Sequence, residues 1–476
     1  VRIALIHYHL LRGGVTSVVH HQARVLRSAG DEVLLISGDA PQDHSGFPEA
    51  LIPDLRYDSV RGEARLAEGV VRQARTARLA DALLKAMDAR WGGPADVVHV
   101  HNPLIRKNSL LLPALRILKD RGLRLLLQNH DFAEDFRPDV YIENELYLEN
   151  VHYGALNSRD FSFLHRSGLD PAGLHLMPNE VVPIEAQPGL ERTRYLYPVR
   201  GIGRKNIGEA LLLSLFIPKG RTIAITLPPT SHKDEPGYRH WKETAQALGL
   251  PVEFEVGGSA SLPELLGSAV CALTTSVKEG FGFSFLEPWT AGRSVIGRRI
   301  DYVCKDFERS GVQFDDLYAS INIPMVYLPP PILRKKMEQA LISAFRAFGL
   351  EAPSYTLKMM TDEIFSQDKF DFGRLDQELQ TDILQTIASN DAARRDLADA
   401  NPFLASLATR QDDEDRIQAN RSRILERYGA AAISDALRET YRAVIEKPVT
   451  HRLSKSILLE LFLDPQKLSL VGLGHD

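Results

Sequence analysis

Short apolar runs alternate with amphipathic stretches along most of this chain. VRIALIHYHL reads as an opening strand and RGGVTS as the turn after it. Ser17 to Ala29 then reads as a helix with Val19, Ala23 and Leu26 on one face, stopped at Gly30. Glu32 to Ser37 supplies the next strand and completes a βαβ unit. DVVHVHNP reads as a buried strand, Arg106 to Arg124 as a basic helix, and LRLLLQNHDF as a further strand. Pro183 to Glu191 carries the Pro188–Gly189 pair and reads as a hinge. Beyond it the alternation restarts with the strand RTRYLYPV and a leucine-rich helix over Gly208 to Phe216. Strands follow at Thr222 to Leu227 and Val252 to Val256, with a helix near His240 to Leu248, and a buried strand at Ala269 to Thr275. PMVYLPPP reads as a linker, because proline lacks the N–H that a helix interior or central strand needs. Helices dominate afterwards, at Lys335 to Phe348, Asp376 to Ile387, Arg416 to Arg427, Ala431 to Val444 and Lys455 to Phe462. The pattern predicts an α/β chain of two successive α/β domains, the first opening as a doubly wound sheet, with an extra mainly helical C-terminal region.

Composition narrows this picture. A length of 476 residues suits two or three domains, and 44% hydrophobic residues let each bury a core. A net charge of −5 gives no whole-chain footprint for nucleic acid. Cys271 and Cys304 are the only cysteines, which provides neither a disulfide framework nor zinc spacing and fits a reducing compartment. Val1 to Leu10 is too short for a membrane span or signal peptide, so a cytoplasmic location is expected. The arginine-rich segment Glu63 to Arg90 reads as a solvated helix face, with contact to a membrane surface or an anionic acceptor the lesser reading. The DDED run at Asp412 to Asp415 reads likewise as a solvated face rather than a metal site.

Candidate chemistry concentrates in KEGFGFSFLEPWTAG, Lys278 to Gly292. Glu279 and Glu287 stand eight positions apart around a glycine-aromatic turn. A helix is expected from Ser284, as N-cap, to Ala291, and a helix opening on such a turn offers free amides and a positive dipole end to phosphate. The turn breaks helical geometry between the glutamates, so they are expected to reach different parts of one elongated ligand. Taken singly, a solvated Glu279 and a Glu287 that complements the helix dipole are the plainer account; together in this setting they are not. His99, His101, Asn102 and His130 fall at strand ends, where ligands gather in open α/β sheets. The loop RGIGRKN adds Arg200, Arg204 and Lys205.

The pattern E-G-F-G-x-x-x-x-E-P followed by Ala-Gly resembles the nucleotide-sugar-dependent glycosyltransferases of the GT-B fold, most closely the retaining family 4. That resemblance implies two Rossmann-like domains facing a central cleft. It implies that Glu287 holds the donor ribose, and that Glu279 with the amides of Gly280, Phe281, Gly282 and Phe283 holds the donor sugar and phosphates. Gly13 and Gly14 would let the backbone approach the diphosphate, and His130 would face the donor sugar, with Asp131 and Asp135 as competing polar groups. Arg200 and Lys205 match the family's Arg, four residues, Lys pattern, followed by Asn206 as helix cap; Arg204 is the alternative if the register slips. Two cations there would stabilise the departing diphosphate.

The same resemblance implies retention of anomeric configuration, with departing phosphate taking the acceptor's proton. The partners are then a nucleotide-sugar donor and an unidentified hydroxyl acceptor. No Asp-x-Asp signature ends a strand and two cations are at hand, so neither a metal nor another cofactor is expected. Domain boundaries at 1–190, 191–345 and 346–476 follow. ALNSRDFSFLHRSG and Pro178–Asn179 also match the family, whereas Ser294 stands where proline is usual, and the likeness fades after about Ile323. The C-terminal region could brace the domains, dimerise or shape the acceptor pocket. Alternatives are a noncatalytic nucleotide-sugar-binding subunit and a nicotinamide-dependent dehydrogenase, the latter disfavoured by the missing G-x-G-x-x-G spacing. A phosphorylase using orthophosphate shares the fold, but no lysine placed to hold pyridoxal phosphate is recognisable in this sequence.

Overall fold

The computed structural model describes residues 1–11, 13–39, 46–59, 69–142, 145–366, 368–410, 412–464 and 469. The start of the expected arginine-rich helix, 63–68, lies outside them, as does Arg12 of the first turn. The chain forms two compact units, Val1–Glu180 with Arg427–Leu463, and Val181–Glu426 with Asp464–Asp476.

Among the described residues the first unit holds seven strands: β1 (Arg2–Ile6), β2 (Glu32–Ser37), β3 (Glu49–Leu51), β4 (Val97–His101), β5 (Leu125–Asn129), β6 (His152–Ala155) and β7 (Leu174–Leu176). Their order is β3-β2-β1-β4-β5-β6-β7, all parallel. Helices α1 (Gly14–Ser28), α2 (Val70–Trp91), α3 (Leu111–Asp120) and α4 (Ser158–Arg166) make the crossovers. Covered on both faces, the central strands are near-continuously apolar, as LLLQN of β5 shows with every residue buried.

The second unit repeats the scheme. Strands β8 (Arg194–Arg200), β9 (Thr222–Leu227), β10 (Val252–Phe254), β11 (Ala269–Thr274), β12 (Val295–Arg298) and β13 (Leu317–Tyr318) lie parallel in the order β10-β9-β8-β11-β12-β13. Helices α5 (Ile207–Leu213), α6 (Glu235–Ala247), α7 (Leu262–Gly267), α8 (Glu287–Thr290) and α9 (Asp301–Arg309) accompany them. At Gly297, φ is +122° and a Cβ would lie 1.9 Å from the Thr274 carbonyl, so only glycine lets β12 lie so close to β11.

The region after 320 differs most from the sequence reading. Pro330 opens α10 (Pro330–Ala347) instead of lying in a linker, since a helix's first turn has no use for the proline N–H. An antiparallel pair, β14 (Asn322–Pro324) and β15 (Lys369–Asp371), brackets α10 and α11 (Ser354–Ser366). Helices α12 (Gln377–Ser389), α13 (Asp391–Ala400), α14 (Phe403–Thr409) and most of α15 (Glu414–Tyr428) stay with the second unit. The residues expected as a single extension, 346–476, are thus divided between the units. Helices α16 (Ala430–Glu446) and α17 (Lys455–Phe462) join the first, where Leu437 and Tyr441 fill one core and Leu458 and Phe462 another.

Candidate active site

Each sheet reverses its strand order once, between β1 and β4 and between β8 and β11, the point where open α/β sheets gather ligands. In the second unit the loops leaving those strands carry the charged residues. Loop 201–206 follows β8 and loop 275–282 follows β11. Val277 N–H donates to the Arg204 carbonyl at 3.0 Å, while the Thr275 and Tyr197 hydroxyls donate to the Lys205 carbonyl at 3.0 and 2.6 Å. Sewn together in this way, the loops bring Lys205 Nζ onto Glu279 Oε1 and Arg204 Nη1 to 2.9 Å from Glu279 Oε2. Arg204 also donates to the Lys278 carbonyl at 2.8 Å. Burial opposes ionisation of Glu279, but the charges of Lys205 and Arg204 and a hydrogen bond from Ser276 outweigh it and hold the carboxyl at about 2.

Arg200, the expected partner of Lys205, is still in the strand. It ends β8 and donates from Nη1 to the Pro228 carbonyl at 3.2 Å, leaving Arg204 beside Glu279. Tyr302 went unnoticed in the sequence. Its hydroxyl accepts the Glu279 N–H at 3.2 Å and donates to the Glu279 carbonyl at 2.6 Å, fixing the backbone that carries the carboxylate. No local pattern marks a tyrosine 23 positions downstream.

The glycine-aromatic turn is tight: Gly282 has φ +92° and packs on Phe285 and Val303. The helix expected from Ser284 is instead a 3-10 turn, Phe283–Phe285, followed by the four-residue α8. Ser284 caps nothing; its buried hydroxyl has no hydrogen-bond partner among the described residues. So short a helix has little dipole, and the positive charge here comes from Arg204 and Lys205. Glu287 sits at the first position of α8 with no side-chain partner among the described residues, and burial alone pushes its carboxyl up to about 7.

Behind the loops lies a buried ionic network. Arg298 pairs with Glu209 at 2.6 Å and with Asp371 at 2.7 Å, and the Tyr318 hydroxyl donates to Glu209 at 2.7 Å. Asn206 is in the left-handed region, φ 52°, and its amide donates to Glu209 at 2.8 Å instead of capping α5. Gln380 of α12 holds the Asn206 oxygen at 2.8 Å. Lys205 is therefore anchored through its neighbour to β12, β15 and α12. Ser294, where the family favours proline, also has a task. Its hydroxyl donates to Asp412 and accepts from Arg410, each at 2.6 Å, so the first aspartate of the DDED run is a structural tie and not a solvated group.

In the first unit the corresponding loops combine glycines, histidines and an asparagine with Lys107. Gly13 and Gly14 line a cavity of about 160 Å³ with His7, Asn102, Lys107 and Arg137. Neither glycine is demanded by the fold: φ at Gly13 is an extended 176°, and a Cβ at Gly14 would meet nothing within 4 Å. His130 follows β5, its backbone N–H and that of Asp131 donating to Asn102 Oδ1 at 2.9 and 3.0 Å. Asn102 therefore orients this loop. His101 instead stacks between two rings, its centroid 4.4 Å from that of His99 and 5.3 Å from that of His130. Burial drives all of these imidazoles down, His99 to about 3 and His130 to about 4, so they are neutral at physiological pH. Asp131 is held by Arg137 at 3.1 Å, and Asp135 lies 3.8 Å from Arg159. Among the described residues no cluster of histidine, cysteine and acidic groups could hold a metal ion, and no helix is long and apolar enough to cross a membrane.

Residues 13–180 match the model of the glycosyl transferase 4-like domain. The chain is also 24% identical over 421 residues to the mannosylglucosyl-3-phosphoglycerate synthase of Petrotoga mobilis, spanning 79% of each protein. The chain thus carries a glycosyl transferase 4-like domain over residues 13–180. Its GT-B fold is shared with a glycosyltransferase of Rickettsia africae at TM-score 0.55 and 13% identity, covering 94% of this chain and 98% of the other. Anabaena HepE, solved with UDP and glucose, matches at TM-score 0.53 and 11% identity over 92% and 99% of the two chains. The matched domain contains Gly13, Gly14 and His130. Arg204, Lys205, Glu279 and Glu287 lie beyond it, in loops and α8 of the second unit.

Proposed function

We propose that this chain is a glycosyltransferase that moves a sugar from a nucleoside diphosphate sugar to a hydroxyl, with retention and without a metal ion. The observation that carries this reading is the convergence of Arg204 and Lys205 on Glu279, one glycine turn away from the unpartnered carboxyl of Glu287. As the glycosidic C–O bond breaks, negative charge grows on the departing diphosphate. Cations fixed beside it stabilise that state more than the bound donor, which is what lowers the barrier. Glu279 keeps both cations oriented before the donor arrives and is well placed to accept hydrogen bonds from donor hydroxyls. Glu287 accepts from the ribose, while Gly13, Gly14 and His130 are assigned to the donor diphosphate and sugar. The departing phosphate oxygen takes the acceptor's proton, and the acceptor oxygen bonds to the anomeric carbon on the face the leaving group vacates. The UDP-bound Anabaena structure supports a nucleotide-sugar donor.

The Petrotoga relative is named for a product bearing mannosyl and glucosyl units on 3-phosphoglycerate. Glycosides carrying phosphate and carboxylate are therefore the first acceptors to try. A thermal-shift screen across UDP, GDP and ADP sugars tests the donor, and turnover in EDTA tests metal independence. Proton NMR of the product then reads the anomeric configuration. The reading fails if no nucleotide sugar raises the melting temperature, and retention fails if the anomer inverts.

A further inference from the structure

Three buried histidines run in a stacked row across the ends of β4 and β5, and their hydrogen bonds constrain one another. His101 Nδ1 lies 3.0 Å from His130 Nε2. His101 Nε2 is buried and has no hydrogen-bond partner among the described residues. Neutral imidazole carries a single ring proton, so two arrangements fit the short contact. If His130 donated from Nε2, His101 would have to accept at Nδ1 and carry its proton on Nε2, burying an N–H with nothing to receive it. If His101 donates from Nδ1, its Nε2 is left as a bare lone pair. Orphaned N–H groups are the rarer and costlier of the two in protein interiors.

We propose that His101 fixes the tautomer of His130, donating its Nδ1–H to His130 Nε2 and so leaving the His130 proton on Nδ1. With Nε2 occupied, Nδ1 is the ring nitrogen that remains for a ligand, and it offers a donor. His130 then selects an oxygen that accepts a hydrogen bond, such as a sugar hydroxyl lone pair, a ring oxygen or a carboxylate. It does not serve as an acceptor for a hydroxyl proton. His101 is thus a positioning residue, acting through its neighbour. The tautomer rests on the histidine geometry alone; its effect on turnover rests on the assignment of His130 to donor-sugar recognition.

The test is a long-range ¹H–¹⁵N correlation spectrum of the full chain labelled at histidine, at neutral pH, with the His130 signals identified by their loss in His130→Ala. The expected pattern is a protonated Nδ1 and a bare Nε2; a protonated Nε2 on His130 would overturn the inference. Two variants extend it to catalysis. His101→Asn keeps an amide donor near the position of Nδ1, whereas His101→Leu removes the donor. His101→Leu is expected to lower kcat about five- to tenfold, as for one lost neutral hydrogen bond, and His101→Asn to recover most of it. Equal losses in both variants count against the positioning role. If His130→Ala turns over normally, the sugar assignment is wrong while the wild-type spectrum still decides the tautomer. That spectrum also stands if His101→Leu fails to fold.

Discussion

The two sheets reverse at equivalent points, yet the loops there do opposite things. After β8 and β11 the loops gather two cations around a carboxylate, with a second ionic cluster buried behind them. After β1 and β4 they offer glycine backbone, an asparagine and neutral imidazoles, with Lys107 lining the same cavity. A charge that develops during a reaction needs preset opposite charge close by, and preset charge in turn needs internal counter-ions to stay in place. Recognition of uncharged hydroxyls needs instead donors and acceptors whose direction is fixed. One topology can host either kind of site, because strand reversal supplies only the place and the loop residues supply the chemistry.

The largest expected effect comes from breaking the ionic backing of the second unit. Arg298→Leu leaves the buried Glu209 and the half-buried Asp371 without their partner and should cost about 3–5 kcal/mol in a urea titration. A loss below about 1 kcal/mol would mean that the charged loops do not depend on it. Next come the loop charges themselves. Lys205→Ala and Glu279→Ala should each lower turnover by about 10²-fold or more with folding retained, and Arg204→Ala should fall much further than Arg200→Ala. Wild-type turnover in Lys205→Ala, or Arg200→Ala outranking Arg204→Ala, would undo the contrast.

A smaller effect concerns Glu287, whose carboxyl titrates at about 7. Ribose hydroxyls donate to the ionised form, so donor affinity should rise by about tenfold from pH 6 to pH 8, and Glu287→Gln should flatten that profile in calorimetry. Least affected should be stability on the neutral side. Gly13→Ala should shift it by no more than about 0.5 kcal/mol, because the new methyl has room, while donor affinity drops. An unchanged affinity would reduce Gly13 to an ordinary turn residue.

Alternating apolar runs made both sheets legible, and the spacing of Glu279 and Glu287 around a glycine turn marked the second site. Choosing between Arg200 and Arg204 was not a matter of pattern, because it depends on where β8 stops. The strand runs through Arg200, and a 3-10 turn over Gly203–Lys205 delivers the later arginine. Arg298 and Glu209 meet across 89 positions, and such a pair has no local signature. Proline at 329–331 misled for the opposite reason: a helix start and a linker tolerate the same residues. The histidines were visible as strand-end residues, but their stacking required the register of β4 against β5.

Tyr441 donates no chemistry, yet it meets His99 at 2.9 Å across 342 positions and shares a core with β1 and β2. The first sheet to leave the ribosome therefore waits for α16 and α17, made hundreds of residues later, before its apolar faces are fully covered. During that delay a chaperone has a natural client. An expression fragment ending at residue 180 should be sticky for the same reason, and supplying 427–463 as a separate peptide should restore it to solution.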